Sequence, residues 1–293
     1  MMQAVYQAAA KINLALDILG RREDGYHLMR MVMQSVSLFD LVTLEVIPGA
    51  SGIHLECSAP EIPCDSRNLA WKAAERLLEA AGIQAAVHIS IEKNIPSQAG
   101  MAGGSADAAA VLAGLNEMLG DPLPKERLYE TGLSVGADVP FCMAGGTKLV
   151  EGIGERISPL PQLPESFFII AKPVSGVATG PCFQRYDRLI QAEHPDIPAM
   201  LTALQGGNRP DIFRHMKNVL EQAADCTAVA ELQKSLAAFH PLGCAMTGSG
   251  SAVAAAFGSK AEAENCLRGL AHLREKGTRL FFVTPVPYGV LRI

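Results

Sequence analysis

The 293-residue chain is poor in aromatic side chains, in paired cysteines and in clustered histidines. Aromatics are 5% of residues, with Trp71 the single tryptophan, so the core must be mostly aliphatic. Seven cysteines stand at positions 57, 64, 142, 182, 226, 244 and 266, an odd count without a CxxC pair. That argues against a disulfide framework or zinc knuckle and for reduced thiols in a cytosol. The seven histidines are never closer than 21 residues, so neither HExxH nor HxxxH occurs. A basic excess is also missing: Lys+Arg 25 against Asp+Glu 30 gives −5. A duplex-binding protein usually carries the opposite balance, so nucleic acid is not the expected partner.

Three further absences narrow the field. The N-terminus has no basic n-region, and Lys11 and Asn13 interrupt its apolar stretch, which speaks against a signal peptide. The longest run without Asp, Glu, Lys or Arg, Ser235 to Ser259, contains Pro241 and four glycines. It reads as loop plus buried strand, not as a membrane helix. The expected setting is the cytoplasm, with no membrane partner. No Lys follows a Gly, so there is no GxxxxGK[ST] loop.

What is present is a large aliphatic chain, 49% hydrophobic and 19% charged, with length for about two domains. A monomer of 31.1 kDa should expose about 12,000 Å², burying enough surface to need no metal or disulfide staple. Leu41–Ile47 and the alternating Val87, Ile89, Ile91 read as strands. Residues 68–81 and 105–119 read as helices closed by Gly82 and Gly120. The proline-rich stretch 158–166 marks a boundary between domains 1–157 and 158–293. In the second, strands are expected at 167–171, 252–257 and 279–283. Helices are expected near 184–193, 197–205, 211–224, 228–239 and 260–273. The closing strand–helix–strand set points to an α+β sandwich.

The most informative stretch is Pro96-Ser-Gln-Ala-Gly100-Met101-Ala102-Gly103-Gly104-Ser105, between a strand and an Ala-rich helix. Glycines let backbone approach a ligand closely, and a helix N-terminus offers free N–H groups and partial positive charge to a phosphate. Ser105 stands where an N-cap is expected. An ordinary strand–turn–helix connection uses the same glycines, so they leave both readings open.

The wider pattern resembles the GHMP kinases. Their phosphate loop, P-x-x-x-G-[LM]-[GA]-[GS]-[GS]-[SA], matches residues 96–105, and Ala8-Ala-Ala-Lys11-Ile-Asn13 and Met246-Thr-Gly248-Ser-Gly250-Ser match the first and third motifs. Three further segments are Gly20-Arg-Arg-Glu-Asp-Gly25-Tyr26-His27, Gly136-Ala-Asp138-Val-Pro140 and Gly152-Ile-Gly154-Glu155. They are similar to the branch whose acceptor is a cytidine diphosphate-linked methylerythritol, in the non-mevalonate isoprenoid pathway. The resemblance implies an α+β, two-domain GHMP kinase fold, with a ribosomal protein S5 domain 2-like N-terminal domain and a ferredoxin-like C-terminal domain. It implies transfer of the ATP γ-phosphoryl group to a 2-hydroxyl, with Mg²⁺. The motifs say nothing of oligomeric state.

By the same resemblance, Lys11 and Asp138 are the catalytic pair, the carboxylate taking the hydroxyl proton and the ammonium offsetting phosphoryl charge. Pro96, Gly100, Met101, Ala102, Gly103, Gly104 and Ser105 hold ATP phosphates, with Ser105 the candidate Mg²⁺ ligand, and Lys93 and Asn68 lie near adenine. Asn13, Tyr26, His27, Thr179 and Phe183 meet the acceptor substrate. Blander roles compete: Asp138 as an Asx turn before Pro140, Lys93 as a strand lysine, Asn68 and Ser105 as helix caps. Gln98 and Ala102 depart from the pattern, and Ala102 in place of Gly implies an ordinary negative φ. Two other readings are a homoserine- or mevalonate-type kinase and a silent binding protein of the same fold. The intact Lys11, Asp138 and Ser105 argue against the latter.

Overall fold

The computed structural model describes residues 1–293, with 12,847 Å² of accessible surface. The chain opens with β1 (Met2–Arg21) and β2 (His27–Pro48), an antiparallel ribbon. Sequence reading passed over β1 because Ala8–Asp17 is buried on both faces, so period-two alternation fades there. Bulges at Ala9/Ala10, Asn13/Ala15 and Ile18/Gly20 interrupt the ribbon. Its tip, residues 22–26, carries much of the distinctive Gly20–His27 run.

Next come β3 (Gly52–Cys57), α1 (Leu69–Ala81) and β4 (Ala85–Glu92). They are followed by α2 (Gly103–Met118), α3 (Lys125–Val135), α4 (Val139–Ala144), β5 (Thr147–Gly152) and β6 (Arg156–Pro159). Strand β2 divides its partners: residues 29–34 pair with β5 and residues 41–48 with β4. Helix α1 presents Ala70, Ala73, Ala74 and Leu77 to the core, and Gly82 ends it in the left-handed region. Helix α2 is buried nearly all round, from Ala106 through Leu112 and on to Asn116, which suits a central helix packed between α1, α4 and the sheet.

The remainder supplies β7 (Phe167–Lys172), α5 (Thr179–Tyr186), α6 (Ile197–Gly206), α7 (Arg209–Phe213) and β8 (Lys217–Asn218). Then follow α8 (Thr227–Ala237), β9 (Gly243–Met246), β10 (Val253–Phe257), α9 (Lys260–Gly269), β11 (Arg279–Val283) and β12 (Val290–Arg292). Strands β7, β9, β10 and β11 form an antiparallel sheet in the order β11-β7-β10-β9. With α9 between β10 and β11, this is the split βαβ arrangement of a ferredoxin-like unit. The first sheet runs β12-β1-β2-β4-β3, with β5 and β6 branching from β2 and β8 pairing with β1. The chain therefore returns twice to the first sheet, through β8 and β12.

Three expectations need correction. No single helix covers 211–224: α7 ends at Phe213, and β8 and a short 3₁₀ turn (Val219–Ala223) follow. Asn218 caps that turn by accepting from the Leu220 N–H, and its amide donates to the carbonyls of Met246 and Gly248, both at 2.7 Å. These distant acceptors compete with helical continuation. The helix expected at 184–193 is α5, shifted toward the N-terminus. The charge-free run 235–259 holds the end of α8, β9, a turn and β10. No helix is long and apolar enough to cross a membrane.

Candidate active site

A cleft of about 760 Å³ lies where the two sheets' elements meet. Its floor is the loop from Ile95 to Ser105, its walls include Lys11, Asn68, Asp138 and Ile153, and the second half adds Thr179, Phe183 and Gly248–Gly250.

Loop geometry follows from its neighbours. Gly100 has φ +71°, and a β-carbon there would lie 1.9 Å from the Thr247 carbonyl oxygen. Only glycine fits. The Ser251 N–H donates to Gln98 O (3.3 Å), the Ala252 N–H to Ala99 O (3.2 Å) and the Lys11 N–H to Met101 O (3.2 Å). The loop is thus stitched to the third motif on one side and to β1 on the other. This pinning overrides residue preference: Ala102 takes φ +58° and Gln98 φ +51°, both left-handed. The negative φ expected at Ala102 is therefore wrong. The Gln98 side chain packs on Gly176.

Helix α2 begins at Gly103, with Ala102 as its N-cap and no side-chain capping bond. Ser105 is thus the third residue of the helix, not its N-cap. The first N–H groups of a helix have no intrahelical acceptor. Those of Gly103, Gly104 and Ser105 are presented at the cleft beside the dipole's positive end.

Lys11 and Asp138 do come together. Lys11 Nζ lies 3.9 Å from Asp138 Oδ2, the lysine side chain buried and the aspartate side chain 35% exposed. Lys11 Nζ also donates to Asn13 Oδ1 at 2.7 Å. A buried ammonium needs such partners. Lys11 and Asn13 share a face of β1 by the two-residue strand period. Asn13 Oδ1 further accepts the Gly248 N–H (2.9 Å), while its own N–H donates to Thr247 Oγ1 (3.0 Å). Asn13 is accordingly buried behind Lys11, joining the first motif to the third. Asp138 occupies the N-cap position of α4 but makes no capping bond, so its carboxylate is not spent on an Asx turn. Gly154 packs on this segment: a β-carbon there would lie 2.3 Å from the Ala137 carbonyl oxygen. The Gly152–Glu155 turn thus supports the Asp138 segment and brings Ile153 to the cleft.

Lys93 and Asn68 line the cleft, yet their polar atoms have internal partners. Lys93 Nζ is ion-paired with Asp40 and, at 2.6 Å, with Asp107. Burial works against the ammonium, but the charges of Asp107 and Asp40 prevail and raise its pKa. Asp40 Oδ1 also accepts the N–H groups of Asn94 (2.6 Å) and Ile95 (2.8 Å), so the group fixes the loop's entry. Asn68 caps α1 by accepting the Ala70 N–H at 2.9 Å and donates to Pro63 O at 2.8 Å.

At the other end, the β1–β2 tip meets α5. The His27 ring stacks on Phe183 with centroids 4.7 Å apart, and Tyr26 is 61% exposed. His27 Nε2 lies 2.6 Å from Asp187 Oδ1, and Arg21 Nη1 donates to Asp187 Oδ2 at 3.2 Å. Thr179 Oγ1 and Ser249 Oγ are 2.9 Å apart. Asp187 was missed by sequence reading, since 160 residues separate it from His27 and no local pattern marks it.

Comparison with known proteins agrees with this geometry. The GHMP kinases N terminal domain family matches residues 68–146. A 4-diphosphocytidyl-2-C-methyl-D-erythritol kinase of Clostridium botulinum (strain Eklund 17B / Type B) is 39% identical over 282 residues, covering 96% of this chain and 99% of the relative. One of Carboxydothermus hydrogenoformans is 45% identical over 249 residues, covering 84% of this chain and 85% of the relative. A crystal structure of 4-(cytidine 5'-diphospho)-2C-methyl-D-erythritol kinase superposes with TM-score 0.78 at 33% identity, covering 97% of this chain and 99% of that one. Homoserine kinase from Cytophaga hutchinsonii gives TM-score 0.81 at 19% identity, covering 99% and 97%, a likeness of fold alone. With the phosphate loop, the Lys11–Asp138 pair and these relatives in agreement, the chain belongs to the GHMP kinases, in the 4-diphosphocytidyl-2-C-methyl-D-erythritol kinase family.

Proposed function

We propose that this kinase transfers the γ-phosphoryl group of ATP to the 2-hydroxyl of 4-diphosphocytidyl-2-C-methyl-D-erythritol. The observation that carries this reading is the Lys11–Asp138 pair, 3.9 Å apart, in one cleft with the uncapped N-terminus of α2. The acceptor oxygen attacks the γ-phosphorus, the bond to the β,γ-bridging oxygen breaks, and Asp138 takes the hydroxyl proton. Lys11, held by Asn13, stabilises charge on the phosphoryl oxygens from a site largely closed to water. The N–H groups of Gly103, Gly104 and Ser105 receive the phosphates. Cleft oxygens around Ser105 and Asp138 suit a hard cation: Ser105 Oγ would hold Mg²⁺, which when bound neutralises triphosphate charge.

At the far end, the His27–Phe183 pair offers an aromatic platform for the cytosine ring, with Tyr26 on the exposed ribbon tip and Thr179 at the second domain's side. Asp187 accepts a hydrogen bond from His27 Nε2–H, which leaves Nδ1 for recognition. We read residues 1–157 and 158–293 as the two domains enclosing the cleft, and the cytoplasm as the setting suited to ATP and to seven free thiols. A coupled ADP-release assay tests the reading. Mg²⁺-ATP turnover is expected with the cytidyl substrate and not with homoserine or mevalonate. The reverse pattern, or tight binding without ADP release, overturns it.

A further inference from the structure

The outer face of the first sheet carries a cluster that phosphoryl transfer does not use. Glu45 on β2, His88 on β4 and His54 on β3 stand side by side: Glu45 pairs with His88 and His88 with His54 in register. Glu56, two residues beyond His54, lies on the same face. His54 Nε2 is 3.2 Å from Glu56 Oε1, His88 Nε2 is 3.8 Å from the same oxygen, and the imidazole centroids are 4.7 Å apart. The ligand atoms of His54, Glu56 and His88 all lie within 4.8 Å of one another.

A second observation points to a ligand. His88 Nε2 is shielded from solvent yet has no hydrogen-bond partner. Glu45 Oε2 faces the other nitrogen, Nδ1, at 3.6 Å, and Glu45 Oε1 accepts from Gln3 Nε2 at 3.1 Å. A carboxylate on one imidazole nitrogen commonly aims the other at a metal. Two ligands of a tetrahedral zinc stand about 3.3 Å apart, close to the spacings seen from Glu56 to the two histidines.

We propose that His54, Glu56 and His88 form a site for a zinc-class divalent cation, with Glu45 orienting His88. Two imidazoles and one carboxylate suit Zn²⁺ or Co²⁺ rather than Mg²⁺. Water completes the coordination, since the cluster is open to solvent. Occupancy ties the edge strand β3 to β4. The segment after β3 continues to the cleft: Ser58 Oγ accepts the Lys93 N–H at 2.9 Å, and Ile62, Pro63 and Arg67 line the rim. The cation therefore braces the edge of the sheet outside the cleft, and phosphoryl transfer does not depend on it.

The test is titration of metal-free enzyme with Co²⁺, read by visible absorption, followed by displacement with Zn²⁺. One equivalent with tetrahedral cobalt bands is expected. His54→Gln and His88→Gln should each weaken it by at least tenfold, and Glu45→Gln by about 10–100-fold. Zinc should raise the Tm of the parent protein but not of His88→Gln, while Mg²⁺-ATP turnover of each variant stays at the parent level. Absence of a cobalt spectrum overturns the proposal. So does binding that survives both histidine substitutions, or a near-ultraviolet thiolate band showing that the metal sits on cysteine.

Discussion

The Thr247 carbonyl oxygen stands 1.9 Å from where a β-carbon on Gly100 would lie, and the Thr247 hydroxyl is 3.1 Å from the Gly100 carbonyl. Two loops 147 residues apart are thereby locked together. The phosphate loop takes its shape from the second half of the chain as much as from its own residues.

Gly100→Ala should therefore be costly. The obstructing atoms are backbone and cannot swing aside, and φ is +71°. A loss of about 1–3 kcal/mol is expected from overpacking alone. Urea unfolding measures it. A fluorescent ATP analogue should show weakened nucleotide binding in the same variant. Unchanged stability and affinity would mean that the two loops separate freely.

Asp138→Asn keeps the shape of the side chain and removes the proton acceptor. A fall in kcat of about 10²–10⁴ is expected, with ATP affinity little changed. Lys11→Met should also lose kcat, and the double variant should be scarcely worse than either single one, because the pair acts as a unit. Full activity in Asp138→Asn would remove that residue from the role.

How much of this was legible in the sequence differs from residue to residue. The phosphate loop could be read in part because Gly100 is demanded by close backbone approach, which leaves a mark in residue type. Asp138 could be read only through the resemblance, since an Asp before Val-Pro has commoner uses. The φ of Ala102 could not be read: alanine alone prefers the other region, and three inter-element hydrogen bonds to Gln98, Ala99 and Met101 decide the matter. The break after Phe213 was hidden too, because the acceptors that capture Asn218 lie about thirty residues on. Lys93 illustrates the converse. Its position in the cleft was anticipated, but its burial between Asp40 and Asp107 required the folded register of β2, β4 and α2.

In the proposed reaction Asp187 acts on substrate through His27, whose Nε2 it holds at 2.6 Å. Asp187→Asn should raise KM for the cytidyl substrate by about tenfold or more, the loss expected for a hydrogen bond to a charged group. KM for ATP should stay the same, because the nucleotide cleft is formed by other residues. Steady-state kinetics with each substrate varied in turn separates these outcomes. An equal rise in both KM values would indicate a general structural defect instead.

Asp107 makes the fold sensitive to pH. Burial raises its carboxyl to about 8, with Lys93 pulling it down and Asp40 pushing it up, and its Oδ1 has no hydrogen-bond partner. In the unfolded chain the same carboxyl titrates near 3.9. Between these values the folded state holds the proton and the unfolded state releases it, so stability falls as pH rises from about 4 toward 8. Urea midpoints taken across that interval should decline in the parent enzyme and flatten in Asp107→Asn. Parallel profiles in the two proteins would assign the titration to another group. Lys93→Met should be worse than either, since it leaves the buried Asp40 carboxylate without its cation. A cost of about 3–5 kcal/mol is expected from an uncompensated buried charge. Combining Lys93→Met with Asp107→Leu should recover part of that loss, because the buried carboxyl of Asp107, whose Oδ1 has no partner, goes as well.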